Sequence, residues 1–330
     1  MIQHPAILSL LVSSVIISLM MLFAGWHGLR IVRNWDLASG SEQQLRLERT
    51  TYLISTILGY CLFFQILSLF LYIYTADYLH GQFVGAMCAA GSLQANGFGY
   101  PVLILKIVTC LFAGAWLIIN HADGKGYDYP LIRYKYALLL VLVPVVVTET
   151  VLQFFYFGKL KANIITSCCG SLFSANTGGI ASDIAALPRV PMEVAFFAAV
   201  ALTCLCGIVF VLKEWGGYLF AGASTLTFVI AIASLISFIS LYVYALPTHH
   251  CPFCILQKEY GYIGYPLYAA LLGAGISGLG VGALMPARKR KSLARTVSAM
   301  QRRLAIATVV LYLLFTLIAV YQMAFSALEF

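Results

Sequence analysis

Residues 249–258 read HHCPFCILQK and bring two cysteines, separated by two residues, next to two histidines. Cysteines at this spacing in the first turn of a helix can close a small, reducible disulfide. Pro252 suits the first helical position, which would make Cys251 the cap, where the helix dipole stabilises a thiolate. A thiolate is the attacking species in disulfide exchange. The same residues also suit a soft metal ion, with Cys251, Cys254, His249 and His250 as ligands.

Seven further cysteines are spread along the chain. Cys88, Cys168 and Cys169 fall between apolar runs, as Cys251 and Cys254 do, and five is an odd number, so at least one thiol is unpaired or transiently paired. Adjacent cysteines bond to each other only in a strained ring, so we expect Cys88 to pair with Cys168 or Cys169. The alternative is two structural disulfides and a spare thiol. The other four cysteines lie inside apolar runs, where they are expected to be inert and buried: Cys61, Cys110, Cys204 and Cys206.

The elements that position these cysteines are predicted to be membrane helices. The chain is 62% hydrophobic and 10% charged, whereas soluble domains carry about 25% charged residues. About 20 mostly apolar residues span a bilayer as a helix. We therefore predict an all-α, polytopic membrane helix bundle of about eight transmembrane helices and exclude a soluble domain. The eight runs cover residues 6–29, 51–75, 100–120, 136–158, 193–212, 218–246, 264–285 and 304–325.

The distribution of basic residues predicts the orientation of the bundle. Of the 20 lysines and arginines, 15 fall in the first, third, fifth and seventh loops, which the positive-inside rule places in the cytoplasm. Both termini then face outward. The five loop cysteines are expected to be exposed on the periplasmic face of an inner membrane, the oxidising side where disulfides persist. Because this asymmetry explains the net charge of +8, we predict lipid head groups rather than nucleic acid as partners of the basic loops.

The loops suggest degenerate helical-hairpin repeats within a single membrane domain, residues 1–330. Cys88 and Cys169 are each followed within a few residues by Gly-Ser-Leu, and Gly-Tyr-Pro stands at residues 99–101 and 264–266. Glycine followed by proline suits a helix that re-enters the membrane. Sub-bundles 1–215 and 216–330 are a further expectation.

One pair of opposite charges is predicted inside the bilayer. Lys106 lies in the third apolar run and Glu149 in the fourth, at similar distances from the outer ends of these runs. Charges at this depth are usually paired or functional. The interpretations are a structural ion pair and a proton route.

The segment Cys251-Pro-Phe-Cys254-Ile-Leu-Gln257-Lys258 resembles the C-x-x-C-x-x-Q-R motif of the DsbB disulfide-forming membrane proteins, to which the vitamin K epoxide reductases are related. The resemblance implies that Cys251 and Cys254 pass electrons to a membrane quinone in an apolar pocket. It implies that Gln257 and Lys258 contact the quinone, and His249 and His250 are expected beside it. A second pair, drawn here from Cys88, Cys168 and Cys169, would exchange disulfides with a thioredoxin-like protein on the outer face.

The chain departs from that family in three ways. It has eight predicted helices rather than four or five, it has no cysteine after residue 254, and lysine replaces arginine at residue 258. Lysine and arginine are not interchangeable at stacked sites. The chemistry is therefore expected to carry over more readily than the fold.

Three functions are compatible with these observations. The first is a membrane thiol–disulfide oxidoreductase that exchanges electrons between outer-face cysteines and a quinone, in either direction. The second is a protein that handles a soft metal, such as copper, mercury or haem iron. The third is a non-catalytic subunit of a larger membrane complex, stapled by disulfides.

Overall fold

A computed structural model describes residues 4–36, 41–126, 129–161, 166, 180–290 and 292–326. Within these residues, eight helices are long and apolar enough to cross a membrane, which confirms the predicted all-α polytopic bundle. The helices in chain order are α1 (Pro5–Asn34), α2 (Glu42–Leu79), α3 (Ala89–Gln94), α4 (Gly99–Asp123), α5 (Ile132–Gly158), α6 (Ile180–Ala185), α7 (Arg189–Lys213), α8 (Gly217–Ser234), α9 (Ser240–Tyr244), α10 (Gly264–Ala283) and α11 (Ala294–Phe325).

The spanning helices follow the apolar runs closely. A π-helical turn, Leu235–Ile239, joins α8 to α9 so that both belong to one span, Gly217–Tyr244. The Gly-Tyr-Pro segments open α4 and α10, as predicted. Large apolar side chains remain exposed along these helices, for example Leu19 at 62% and Leu317 at 66%. Such surfaces are costly in water and suit contact with lipid, so the chain is a multi-pass membrane protein.

The chain forms two compact units, each discontinuous in sequence. The boundaries of these units differ from those of the sub-bundles 1–215 and 216–330, which stay a prediction. Helices α2 and α11 each contribute residues to both units. Unit 1 comprises Met1–Thr75, Asn96–Leu160 and Ala283–Gln301, and unit 2 comprises Ala76–Ala95, Lys161–Gly282 and Arg302–Phe330.

Unit 1 is built around α5, which packs against α1 and α4. Trp116 and Tyr136 are fully buried in its core. The ammonium of Lys135 lies 2.7 Å from the carboxylate of Asp123, and both side chains are buried. The apolar run predicted from residue 136 begins earlier in the structure, because α5 already starts at Ile132 and includes Lys135. The partner in α4 makes burial of this charge tolerable.

Unit 2 has α7 packed against α8. The hydroxyls of Thr203 and Thr227 are 2.8 Å apart across this contact. The hydroxyl of Tyr312 in α11 donates a hydrogen bond of 2.6 Å to the carbonyl of Ser224 in α8. Gly278 in α10 lies so close to Ser224 that a Cβ added to it would be 2.0 Å from the serine Oγ. Small residues therefore let these helices approach closely.

Candidate functional site

Three buried cysteines converge in unit 2. The Sγ atoms of Cys88 and Cys251 are 3.5 Å apart, although 163 residues separate them in the chain. The Sγ atom of Cys254 joins them, and all three sulfurs lie within 4.8 Å of one another. We call Cys88, Cys251 and Cys254 the sulfur cluster. A disulfide bond is about 2.05 Å long, so two of these thiols need only a small approach to form one.

The sulfur cluster is not exposed, contrary to the expectation for loop cysteines. Cys88 and Cys251 are 0% exposed and Cys254 is 4% exposed. The reason is the apolar sequence around the C-x-x-C motif, since Phe253, Ile255 and Leu256 are buried with it. Cys168 and Cys169, predicted to pair with Cys88, lie outside the described residues. Cys88 contacts Cys251, and its pairing with Cys168 or Cys169 stays a prediction.

The C-x-x-C motif does not begin a membrane helix, so the prediction that Cys251 caps one is wrong. Cys251 lies in a loop, and Cys254 starts a single 3₁₀ turn, Cys254–Leu256. The turn ends because Gln257 is extended, and Gly261 then adopts a left-handed conformation (φ 63°). A right-handed helix cannot continue through such residues. Cys251 therefore lacks the helix N-terminus whose dipole was expected to stabilise its thiolate.

Two tyrosines hold the backbone of this loop. The hydroxyl of Tyr244, at the end of α9, donates a hydrogen bond to the carbonyl of Cys251. The hydroxyl of Tyr268, in α10, donates one of 2.6 Å to the carbonyl of Pro252. Together they fix the loop between the two spans that it connects. The sequence did not single out these two among its 20 tyrosines.

The two histidines face other partners. The ring of His249 packs edge-on against Tyr244, with ring centroids 4.2 Å apart. Nδ1 of His250 lies 2.9 Å from the carbonyl oxygen of Ile236, in the π-helical turn. Within the described part of the chain, the group of possible metal ligands around the motif is the sulfur cluster, with Cys88 in place of the predicted histidines.

Gln257 connects the motif to the segment that carries Cys88. Its amide nitrogen donates hydrogen bonds of 2.8 Å to the carbonyl of Met87 and 3.3 Å to Oδ1 of Asp77. The same carboxylate oxygen accepts a bond of 3.1 Å from the N–H of Ala89, the first residue of α3. Gln257 and Asp77 thus hold both neighbours of Cys88. Asp77 was not identified from the sequence, although an acidic residue two positions after the second apolar run is a usable signal.

A quinone site at Gln257 and Lys258 stays a prediction. The amide of Gln257 is engaged with Met87 and Asp77, and Lys258 lies on an exposed 3₁₀ turn. A cavity of about 160 Å³ lies in unit 1 and is lined by residues that include Trp35, Ser55, Asn120 and Lys135. Neither Gln257 nor a cysteine is among its lining residues.

The predicted pair of Lys106 and Glu149 is confirmed and lies in unit 1. The ammonium nitrogen is 2.8 Å from Oε1 of the carboxylate, and both side chains are 1% exposed. Gln65 donates a hydrogen bond of 2.7 Å to the same oxygen, and Lys106 donates one of 3.0 Å to Oγ of Ser68. This arrangement is a buried, hydrogen-bonded ion pair. A proton route through these residues stays a prediction.

Replacing Gln257 with alanine should slow disulfide formation between Cys88 and Cys251. We expect a decrease of about 10-fold or more, because a misplacement near 1 Å of reacting atoms costs up to about 100-fold. The rate would be measured with a mild thiol oxidant in a Cys254→Ser background, by mapping the cross-linked peptides. Gln82→Ala, an exposed glutamine in the same loop as Cys88, is the control. Equal rates in both variants would remove the positioning role of Gln257.

Comparison with protein-family models, with curated proteins and with solved structures found no match to this chain.

Proposed function

We propose that this protein is a membrane thiol–disulfide oxidoreductase whose reactive centre is the sulfur cluster. The observation that supports the proposal is the 3.5 Å approach of the Cys88 and Cys251 sulfurs, with Cys254 beside them. Thiolate attack on a disulfide needs this kind of proximity, because it passes through a mixed disulfide between neighbouring sulfurs. A structural disulfide would need only two cysteines here, whereas disulfide exchange requires a third sulfur.

The exchange within the sulfur cluster balances without an external reagent. The thiolate of Cys88 attacks Sγ of Cys251 in a Cys251–Cys254 disulfide, a Cys88–Cys251 bond forms, and Cys254 leaves as a thiolate. No electrons are gained or lost in this step. Net oxidation of two cluster thiols releases two electrons and two protons. The resemblance of the motif to the DsbB group supplies the acceptor class, a membrane quinone, which takes up two electrons and two protons.

A partner protein cannot reach sulfurs that are buried. We therefore assign the outer exchange step to Cys168 or Cys169, which would react with a thioredoxin-like protein and pass the disulfide to Cys88. A contact of Thr166, two residues before Cys168, supports this assignment. Its N–H donates a hydrogen bond of 2.9 Å to the carbonyl of Val84, four residues before Cys88. The periplasmic face of an inner membrane is the proposed location of these steps.

The test is electron transfer from the reduced, detergent-purified protein to a short-chain quinone without oxygen. We expect quinol to form as about two thiols per chain disappear. Cys251→Ser and Cys254→Ser should each abolish the reaction, because neither leaves the motif able to form its own disulfide. Cys110→Ser, a buried cysteine of α4 in unit 1, is the matched control and should react like the parent. Quinol formation by the double Cys251→Ser, Cys254→Ser variant would refute the proposal.

A further inference from the structure

We propose that the sulfur cluster, in its reduced state, is also a high-affinity site for one monovalent soft metal ion, Cu(I), coordinated by Cys88, Cys251 and Cys254. All three ligand residues belong to unit 2. The inference stands beside the proposed redox activity and does not depend on it, because metal binding needs three thiols and no electron acceptor.

The spacing of the sulfurs suits three-coordinate binding. Metal–sulfur bonds are about 2.3 Å long, so three sulfurs around one ion lie about 4.0 Å apart. The Cys88–Cys251 separation is 3.5 Å, and the remaining separations do not exceed 4.8 Å. Each sulfur therefore needs to move by less than about 1 Å to bind the ion.

The ligand type selects the ion. Thiolates favour Cu(I) and Zn²⁺, whereas Mg²⁺ and Ca²⁺ require oxygen ligands. Zn²⁺ in structural sites is almost always four-coordinate, and the group of possible ligands found in the described residues holds three sulfurs. The nearby carboxylate of Asp77 already accepts hydrogen bonds from Ala89 and Gln257. Cu(I) is satisfied by two or three sulfurs and is the ion that this set fits.

The surroundings favour binding of a soft ion over its hydration. Phe253, Ile255 and Leu256 are buried with the cluster and exclude water from it. Tyr244 and Tyr268 fix the backbone that carries Cys251, and Gln257 fixes the backbone next to Cys88. A ligand set held in place before binding loses less entropy when the ion enters. Each thiol that becomes a ligand releases its proton, so binding weakens as pH falls.

The metal-bound and disulfide forms exclude each other, since a sulfur in a disulfide is no longer a thiolate ligand. A Cu(I) ion on the cluster would therefore block the exchange between Cys88 and Cys251. Conversely, oxidation of any two of these sulfurs to a disulfide, with two electrons passing to a quinone, would leave one thiolate ligand and release the ion.

The test is an anaerobic titration of the reduced, purified protein with Cu(I) in competition with a chromogenic Cu(I) chelator. We expect one ion per chain and loss of affinity in Cys88→Ser, Cys251→Ser and Cys254→Ser. Each loss should exceed the roughly 10–100-fold that loss of an outer partner costs at a metal site. His249→Ala with His250→Ala, and separately Cys110→Ser, should bind like the parent.

X-ray absorption at the copper edge provides a second measurement that does not depend on the variants. We expect three sulfur neighbours at about 2.3 Å and no nitrogen neighbour. Two neighbours of which one is nitrogen, or binding unchanged in Cys88→Ser, would overturn the proposal. Copper binding without quinone reduction would refute the proposed function and support this inference. Quinone reduction without copper binding would refute this inference and support the proposed function.

Discussion

Replacing Glu149 with leucine is expected to lower the free energy of unfolding by about 3–5 kcal/mol. The ammonium of Lys106 is 1% exposed and has the Glu149 carboxylate 2.8 Å away. Without that carboxylate the charge stays buried, with the hydroxyl of Ser68 as a neutral acceptor. A second loss follows from Gln65, whose amide donates to the same carboxylate oxygen. Denaturant unfolding in detergent micelles, followed by tryptophan fluorescence, would measure the change.

A double replacement distinguishes the free-energy cost of one unpaired buried charge from the net contribution of the ion pair to stability. Lys106→Met combined with Glu149→Leu should recover most of the lost stability, because replacing both ions removes both desolvation penalties. The control is Glu42→Gln, which breaks the exposed pair with Arg46 on α2 and should change stability within measurement error. If Glu149→Leu unfolded like the Glu42 variant, the pair would not be buried in the folded protein.

Replacing Gly278 with alanine is expected to destabilise unit 2 by about 1–3 kcal/mol, the usual cost of overpacking. The added Cβ would lie 2.0 Å from Oγ and 2.6 Å from Cβ of Ser224. The serine Oγ can rotate away, but its Cβ cannot, so α8 and α10 must separate. That separation would also disturb the hydrogen bond from Tyr312 to the Ser224 carbonyl. Thermal unfolding of the purified protein would measure the loss.

Two variants test whether this contact is the cause. Gly222→Ala, on the same helix as Ser224, places its Cβ where no atom lies within 4 Å and should not destabilise the protein. Ser224→Gly removes both clashing atoms and should restore the stability of Gly278→Ala. A failure of this rescue would place the strain elsewhere in α10.

The membrane helices could be predicted from the sequence because a bilayer imposes one length and one composition on every span. The predicted and observed helices differ at their ends, where polar residues determine the boundary of each helix. The second helix begins at Glu42 rather than residue 51, since residues 42–50 are mostly good helix formers that leave the membrane without breaking the helix. The pairing of Lys106 with Glu149 followed from matched depth on successive helices.

The sulfur cluster could be predicted only in part. The C-x-x-C pair was found from its spacing, but the approach of Cys88 depends on how α3 packs, and local sequence does not encode a contact across 163 residues. The sequence contained a signal against the wrong prediction that Cys251 caps a membrane helix. Gly-Tyr-Pro at 264–266 was already identified as a helix start, so a helix begun at residue 251 had to end in the intervening segment, which contains Gly261.

The π-helical turn at Leu235–Ile239 gives this span one residue more than an uninterrupted α-helix of the same rise would hold. Deletion of one residue there would remove the extra residue and restore ordinary α-helical bonding, and the later residues of the helix would keep nearly the same rise and orientation. The carbonyl of Ile236 would then be used within the helix and withdrawn from His250. A one-residue change in the length of this apolar helix would thus leave the start of the C-x-x-C loop nearly in place and would act on that loop through the contact of His250.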